Sequence, residues 1–348
     1  MNVISSSRTY FAIIALFVIG VLSAYAQDDA PLTYKSSLKI RVMNGHMLAR
    51  NSEPVVISID TLKKHAPDFN TSFYRVKRIT GFEPRDIPSQ IRHTAGSPGK
   101  QELVLPVTLA PGRNIDLEIQ YNPTGSGNPS YPFKTQSFDK WYTGGGNTAW
   151  ENELIAYRSY SGIVDFFAKT YPHLRLHDLP PDSYHHERLW GLDPYVVGNK
   201  PGLGGVILFV GDKEIACFGG GENSPNTYTH HAIDAGPVSG GTTVEVLRDG
   251  KTLISTHYQL HDGRYDNDVV IETSAAGPDS TILAAPGLER FDNASISLNV
   301  QEGYVLAFGI PLDEYGVIGT ALYWRTGDFM GHDENEAVSY THLTLPTN

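Results

Sequence analysis

Thr243-Val244-Glu245-Val246-Leu247, then Asp249-Gly250, then Asp262-Gly263 and Val269-Val270-Ile271-Glu272, is the stretch that decides the fold. Apolar and polar side chains alternate along the runs, the two-residue period of a strand with one face buried. Asp-Gly pairs between such runs are hairpin punctuation, because glycine and aspartate tolerate the left-handed backbone of a tight turn. The same grammar extends in both directions. Upstream lie Leu38–Val42, Val55–Ile59, Leu103–Val107, Ile115–Ile119 and Gly205–Val210. Downstream lie Ile296–Val300 and Tyr304–Phe308, joined across Glu302-Gly303. Many short alternating strands without intervening helices predict an all-β protein, a large antiparallel β-sandwich or supersandwich with few short helices.

Two segments break the pattern. Ile163 to Tyr171 (IVDFFAKTY) carries apolar residues that can line one face of a helix before Pro172, and a helix is expected there. Asn122 to Thr148 is long, polar and rich in Gly and Pro; it is expected to be a loop bordering a cleft, with the strands on either side sharing one core. No internal repeats are present.

The amino terminus reads as an export signal. Arg8 precedes the apolar run Phe11–Leu22, and Ser23-Ala24-Tyr25-Ala26 ends with small residues at the positions a signal peptidase inspects. The apolar run is shorter than the ~20 residues of a spanning helix. The expectation is a leader over residues 1–26, no membrane span in the mature chain, and a periplasmic or secreted protein. The body, residues 27–338, is expected to be a single β-sandwich domain cut short at its carboxyl end. Ser339–Asn348 (SYTHLTLPTN) looks like translated adaptor sequence, so residues 339–348 read as a non-native tail.

With 27 Lys and Arg against 38 Asp and Glu, the formal charge is −11. That disfavours nucleic acid and anionic membranes as partners, since neither meets a basic surface. Cys217 is the single cysteine, so no intrachain disulfide forms, and its apolar surroundings suit a small core residue. His185, His186, His230, His231, His257 and His261 fall in one span, but no pair has metal-binding motif spacing; no metal and no cofactor are expected. The oligomeric state is not legible.

Chemistry-bearing residues concentrate in two blocks. The first is Ala149–Tyr160 (AWENELIAYRSY). Strand alternation there puts Arg158 and Tyr160 on one face with Ala156, opposite Ile155, Tyr157 and Ser159. A structural ion pair across the sheet is the plain alternative for Arg158. The second, Tyr184–Asn199 (YHHERLWGLDPYVVGN), holds the densest titratable cluster, and histidine is the side chain most easily poised for proton transfer near neutral pH. Neighbours on a strand face opposite ways, so only one of His185 and His186, and one of His230 and His231, is expected to reach a given site.

These blocks, with Asp234-Ala235-Gly236-Pro237-Val238 and the Leu298–Trp324 run, resemble domain-of-unknown-function family 4861. Glu153-Leu154 and Ser239 depart from its pattern at positions where Asp-Arg and Arg are usual. The resemblance implies a β-sandwich protein of polysaccharide-utilising bacteria that eliminates water from the non-reducing-end uronic acid of an anionic, ulvan-type oligosaccharide, leaving a 4,5-unsaturated sugar. Such a site neutralises the carboxylate, removes the C5 proton and protonates the departing C4 hydroxide. Arg158 or Arg188 suits the first of these roles. His185, then His231, or else Tyr160 suits the base; Tyr184 or a second His suits the acid. Trp150, Glu151, Asn152, Trp190 and Asp193 complete the expected substrate-binding set. A polysaccharide lyase needs the same inventory. A glycoside hydrolase using Glu151 and Asp193, or a non-catalytic sugar-binding sandwich stacking Trp141, Tyr142, Trp150 and Trp190 on its ligand, are the other readings.

Overall fold

The computed structural model describes residues 33–344 except 82, 98, 142–146, 179–184, 196, 199, 212, 220–223, 274–281, 292, 311–315 and 335–337. The expected leader, Tyr142 and Tyr184 lie outside the described residues.

The chain is all-β; among the described residues it is built from antiparallel sheets and one short α-helix. Its first part runs β1 (Ser36–Met43), β2 (Arg50–Ser58), α1 (Ile59–His65), β3 (Tyr74–Arg78), β4 (Arg85–Ile87), β5 (Gln90–His93), β6 (Gln101–Leu109) and β7 (Asn114–Tyr121). Sheets β1-β7-β3-β4 and β2-β6-β5 face each other. Their inward residues, among them Val76, Leu103, Leu105, Leu117 and Ile119, enclose one apolar cluster with Ile59 and Leu62 of α1. Ser58 caps α1 by accepting from Thr61 N, which satisfies one donor the helix start leaves open.

The second part contains β8 (Thr135–Phe138), β9 (Asn147–Asn152), β10 (Ile155–Tyr160), β11 (Ile163–Lys169), β12 (Gly191–Leu192), β13 (Leu203–Val210), β14 (Lys213–Ala216), β15 (Asn226–Ile233), β16 (Ser239–Arg248), β17 (Lys251–His261) and β18 (Asn267–Thr273). It ends with β19 (Ile282–Glu289), β20 (Ser295–Asn299), β21 (Tyr304–Gly309), β22 (Ile318–Tyr323), β23 (Phe329–Glu334) and β24 (Val338–Thr344). The sheet β12-β11-β10-β9-β8 packs on β15-β16-β17-β18, with Trp150, Tyr157, Val244, Tyr258 and Leu260 in the shared core. The sheets β14-β13-β19-β24-β23 and β20-β21-β22 complete this part. β24, of which Ser339–Thr344 lies in the stretch expected to be a non-native tail, pairs between β19 and β23.

The expected hairpins form. Asp249 and Gly250 take φ of 52° and 72°, the two left-handed positions of the turn that joins β16 to β17. The expected helix over 163–171 does not form. Ser161 and Gly162, with φ of 48° and 69°, make another such turn, so Ile163–Lys169 folds back as β11 along β10. Both faces of β11 are covered: Val164 and Phe166 join the core with Trp150, and Phe167 joins Trp141, Leu176 and Trp190. A strand buried on both sides loses its alternation, which is why its sequence mimics a helix face.

Among the described residues, the strands before and after Asn122–Thr148 fall in separate apolar clusters and not in the one core expected. The two parts are instead tied by polar contacts. Gln90 Oε1 accepts from Val238 N and Ser239 N (3.1 and 3.0 Å), and its Nε2 donates to Asp234 O and Ser239 O (2.9 and 3.0 Å). One side-chain amide thus satisfies four backbone groups at the junction.

Candidate functional site

The β10–β11 hairpin sets Arg158 directly opposite Asp165. Arg158 Nε donates to Asp165 Oδ1 at 3.1 Å and Nη2 donates to Oδ2, a fork that fixes the guanidinium plane. Asp193 follows β12, which pairs with β11, and reaches the same guanidinium: Oδ2 lies 3.3 Å from Arg158 Nη2. Its Oδ1 accepts from Tyr195 N at 2.9 Å. Both carboxylates are fully buried, so one guanidinium stands between two acids out of water.

Burial dominates their ionisation. It pushes Asp193 up to about 8, with the neighbouring Asp165 adding to the rise and Arg158 opposing it. Burial also raises Asp165, against the stronger, two-nitrogen grip of Arg158. Asp193 is therefore the acid that keeps its proton at neutral pH.

His185 completes the group. Its Nδ1 lies 3.1 Å from the Asp193 carbonyl oxygen and 3.7 Å from Asp193 Oδ2. A carbonyl only accepts, so this contact assigns the proton of neutral His185 to Nδ1 and the basic lone pair to Nε2. Arg158 also lies against the Tyr160 ring, 4.9 Å from its centroid. Asn147, Arg158, Tyr160, His185, Tyr195, Val197 and Gly198 line one pocket of about 250 Å³.

The two sequence blocks thus meet at Arg158, Tyr160 and His185, with Asp193 beneath. The other expected site residues sit elsewhere. Trp150 is in the core, stacked between Tyr157 and Tyr258 with its indole N–H given to Asn267 Oδ1 at 2.8 Å. Glu151 is buried, pairs with Lys169, and accepts from Leu176 N at 2.7 Å and Arg175 N at 2.8 Å. Asn152 shapes the β9–β10 turn: its Oδ1 accepts from Leu154 N and Ile155 N, while its Nδ2 donates to His261 O and Arg264 O. Trp190 packs against Phe167 in the core. Arg188 is exposed on the turn before Gly191 and does not line the pocket. His231 is exposed on β15, 3.7 Å from Glu245, in a different sheet from the pocket strands. Strand alternation turns its neighbour His230 inward, where it is half-buried, and that burial brings the imidazole down to about 4. Trp141 too is a core residue.

Four residues at or behind the pocket escape a sequence reading. Asp165 was hidden by the helical look of β11. Asn147 pairs across from Tyr160, which only the strand register reveals. Tyr195 lines the pocket and belongs to the core. Glu289, at the end of β19, is raised to about 7 by burial, with Lys200 Nζ 3.0 Å from its Oε1 as partial compensation. Among the described residues, no group of three His, Cys, Asp or Glu side chains is arranged to hold a metal ion.

The family model described as Domain of unknown function (DUF4861) matches residues 42–345, and the chain belongs to that family. No curated protein matches it. Among solved structures, a protein in the glycosyl hydrolase family 38 from Enterococcus faecalis is similar at 10% identity and a TM-score of 0.41, over 89% of this chain and 44% of that one. An alpha-mannosidase from Enterococcus faecalis V583 is similar at 10% identity and a TM-score of 0.34, over 89% of this chain and 43% of its own. The chain thus spans less than half the length of either.

Proposed function

We propose that this DUF4861 protein is an exported carbohydrate-active lyase, a dehydratase that eliminates water from a uronic acid at the non-reducing end of an anionic oligosaccharide. The observation that carries this reading is the convergence of Arg158, Tyr160 and His185 on one small pocket, while the carboxylates around it are buried. Elimination needs a base, an acid and a cation beside the substrate carboxylate, but no nucleophile. In the reaction, His185 Nε2 takes the C5 proton and the C5–H electron pair becomes the C4=C5 double bond. The C4–O bond breaks as Tyr160 gives its phenolic proton to the departing hydroxide, and water leaves. A proton passing from His185 to the Tyr160 phenolate restores both groups.

The alternatives fare less well. A hydrolase using Glu151 and Asp193 needs carboxyls that touch substrate, and both are buried and bonded to protein groups. A stacking platform of Trp141, Trp150 and Trp190 is excluded by their burial in the cores. The pocket volume, below the ~300–1,000 Å³ that takes drug-sized ligands, favours one terminal sugar over an internal stretch of chain.

The test is incubation with uronate-ended oligosaccharides, reading ultraviolet absorbance of the conjugated product together with its mass. A dehydratase gives absorbance and the loss of one water without shortening the chain. Shortening with new absorbance instead marks a polysaccharide lyase, and shortening without it a hydrolase. The expected result for His185→Asn is a fall in rate of about 10²–10⁴-fold. No new absorbance with ulvan, pectin or alginate fragments would refute the proposal.

A further inference from the structure

Arg158 is the cation that an acidic ligand would meet in the pocket, yet Asp165 already grips it with both carboxylate oxygens and Asp193 stands 3.3 Å away. Counting charges among the described residues, one guanidinium and two buried carboxylates leave the group one negative charge in excess unless a proton is present. The place for that proton is the Asp193 carboxyl, since His185 Nδ1, 3.7 Å from Oδ2, already carries the hydrogen it gives to the Asp193 carbonyl. With it, the group is neutral. Without it, an anion entering the pocket meets a net anion in a site with little water to screen it. Among the described residues, the charged groups that face this pair are Arg158 from β10, Asp165 from β11, and behind them Glu289 from β19 with Lys200 as its partner.

We infer that the pocket takes up a carboxylate ligand together with one proton, which Asp193 holds behind His185. This deepens the reading of the same pocket as a uronate site and rests on it. Asp193 thereby acts as a positioning residue, which sets the charge that His185 and Arg158 present without touching the ligand. The proton is already bound at neutral pH and must be recruited in alkali, consistent with Asp193 titrating near 8.

The experiment is calorimetric titration of the protein with D-glucuronate, which stays ionised throughout, at pH 7, 8 and 9 and in two buffers of different ionisation enthalpy. The expected result is about a tenfold loss of affinity from pH 7 to pH 9, with uptake approaching one proton per ligand at the alkaline end. Asp193→Asn, which carries no titrating proton, is expected to bind with the same affinity at all three values. A flat wild-type profile, a slope that survives in Asp193→Asn, or no binding at any pH would each overturn the inference. Turnover is read separately. Elimination with pH-independent binding would sink the inference and leave the dehydratase standing, and proton-coupled binding without elimination would do the reverse.

Discussion

Replacing Asp193 by Asn should make the protein more stable at neutral pH than the natural sequence is. Asp193 is fully buried, and its carboxyl titrates near 8 in the fold against an ordinary value of 3.8. A group whose folded value is raised contributes stability that is fully present below its unfolded value and is lost as pH rises through the folded one. Between those limits the loss is about 1.4 kcal/mol per pH unit, so about 3 kcal/mol disappears between pH 5 and pH 7. The Asp193→Asn variant loses none of it. The substitution has its own cost: the new Oδ1 can still accept from Tyr195 N, but the amide nitrogen opposes Arg158 Nη2 where an oxygen stood, a mismatch of about 1–3 kcal/mol. The two effects place the variant roughly level with the natural protein near pH 5 and about 2–3 kcal/mol ahead at pH 7. Equilibrium urea unfolding at half-unit steps from pH 5 to pH 7 measures the difference, with Glu289 titrating alike in both proteins and cancelling. A difference that changes by less than about 1 kcal/mol across that range would show that Arg158 fully compensates an ionised Asp193, and the reasoning would fail.

Two further outcomes separate structural residues from the site. Glu151→Ala should lower stability by about 3–5 kcal/mol, because it strands the buried Lys169 ammonium and the N–H groups of Arg175 and Leu176; denaturant unfolding checks this, and unchanged stability with lost turnover would return Glu151 to the substrate. Gly241→Ala should cost about 1–3 kcal/mol or more, because the added methyl would lie 1.9 Å from the Tyr258 carbonyl oxygen and force β16 from β17 beside the Trp150 stack. Near-ultraviolet circular dichroism of the stacked rings and the melting temperature would show it, and an unperturbed melt would contradict it.

The proposed chemistry depends on a division of labour among titratable groups that share one hairpin. Arg158 is both the cross-strand partner that sequence reading offered as the plain alternative and a wall of the pocket. These roles are compatible because Asp165 fixes the guanidinium plane while Tyr160 and His185 remain at the pocket surface.

The all-β architecture and its hairpins were legible because they are local: alternation declares a half-buried strand, and Asp-Gly declares the turn, as at Asp249-Gly250. The face shared by Arg158 and Tyr160 was legible for the same reason, and so was the division between His230 and His231. What lay beyond the sequence was everything set by a second surface. β11 read as a helix because burial on both faces erases the two-residue period. Trp150, Glu151 and Trp190 read as ligand contacts because an aromatic or acidic side chain looks alike in a string whether it meets solvent, Lys169 or Tyr258. Only the folded chain decided that Asp165 and Asp193, distant from each other in sequence, compete for one guanidinium. Charge and burial are properties of neighbours in space, and the order of residues does not supply them.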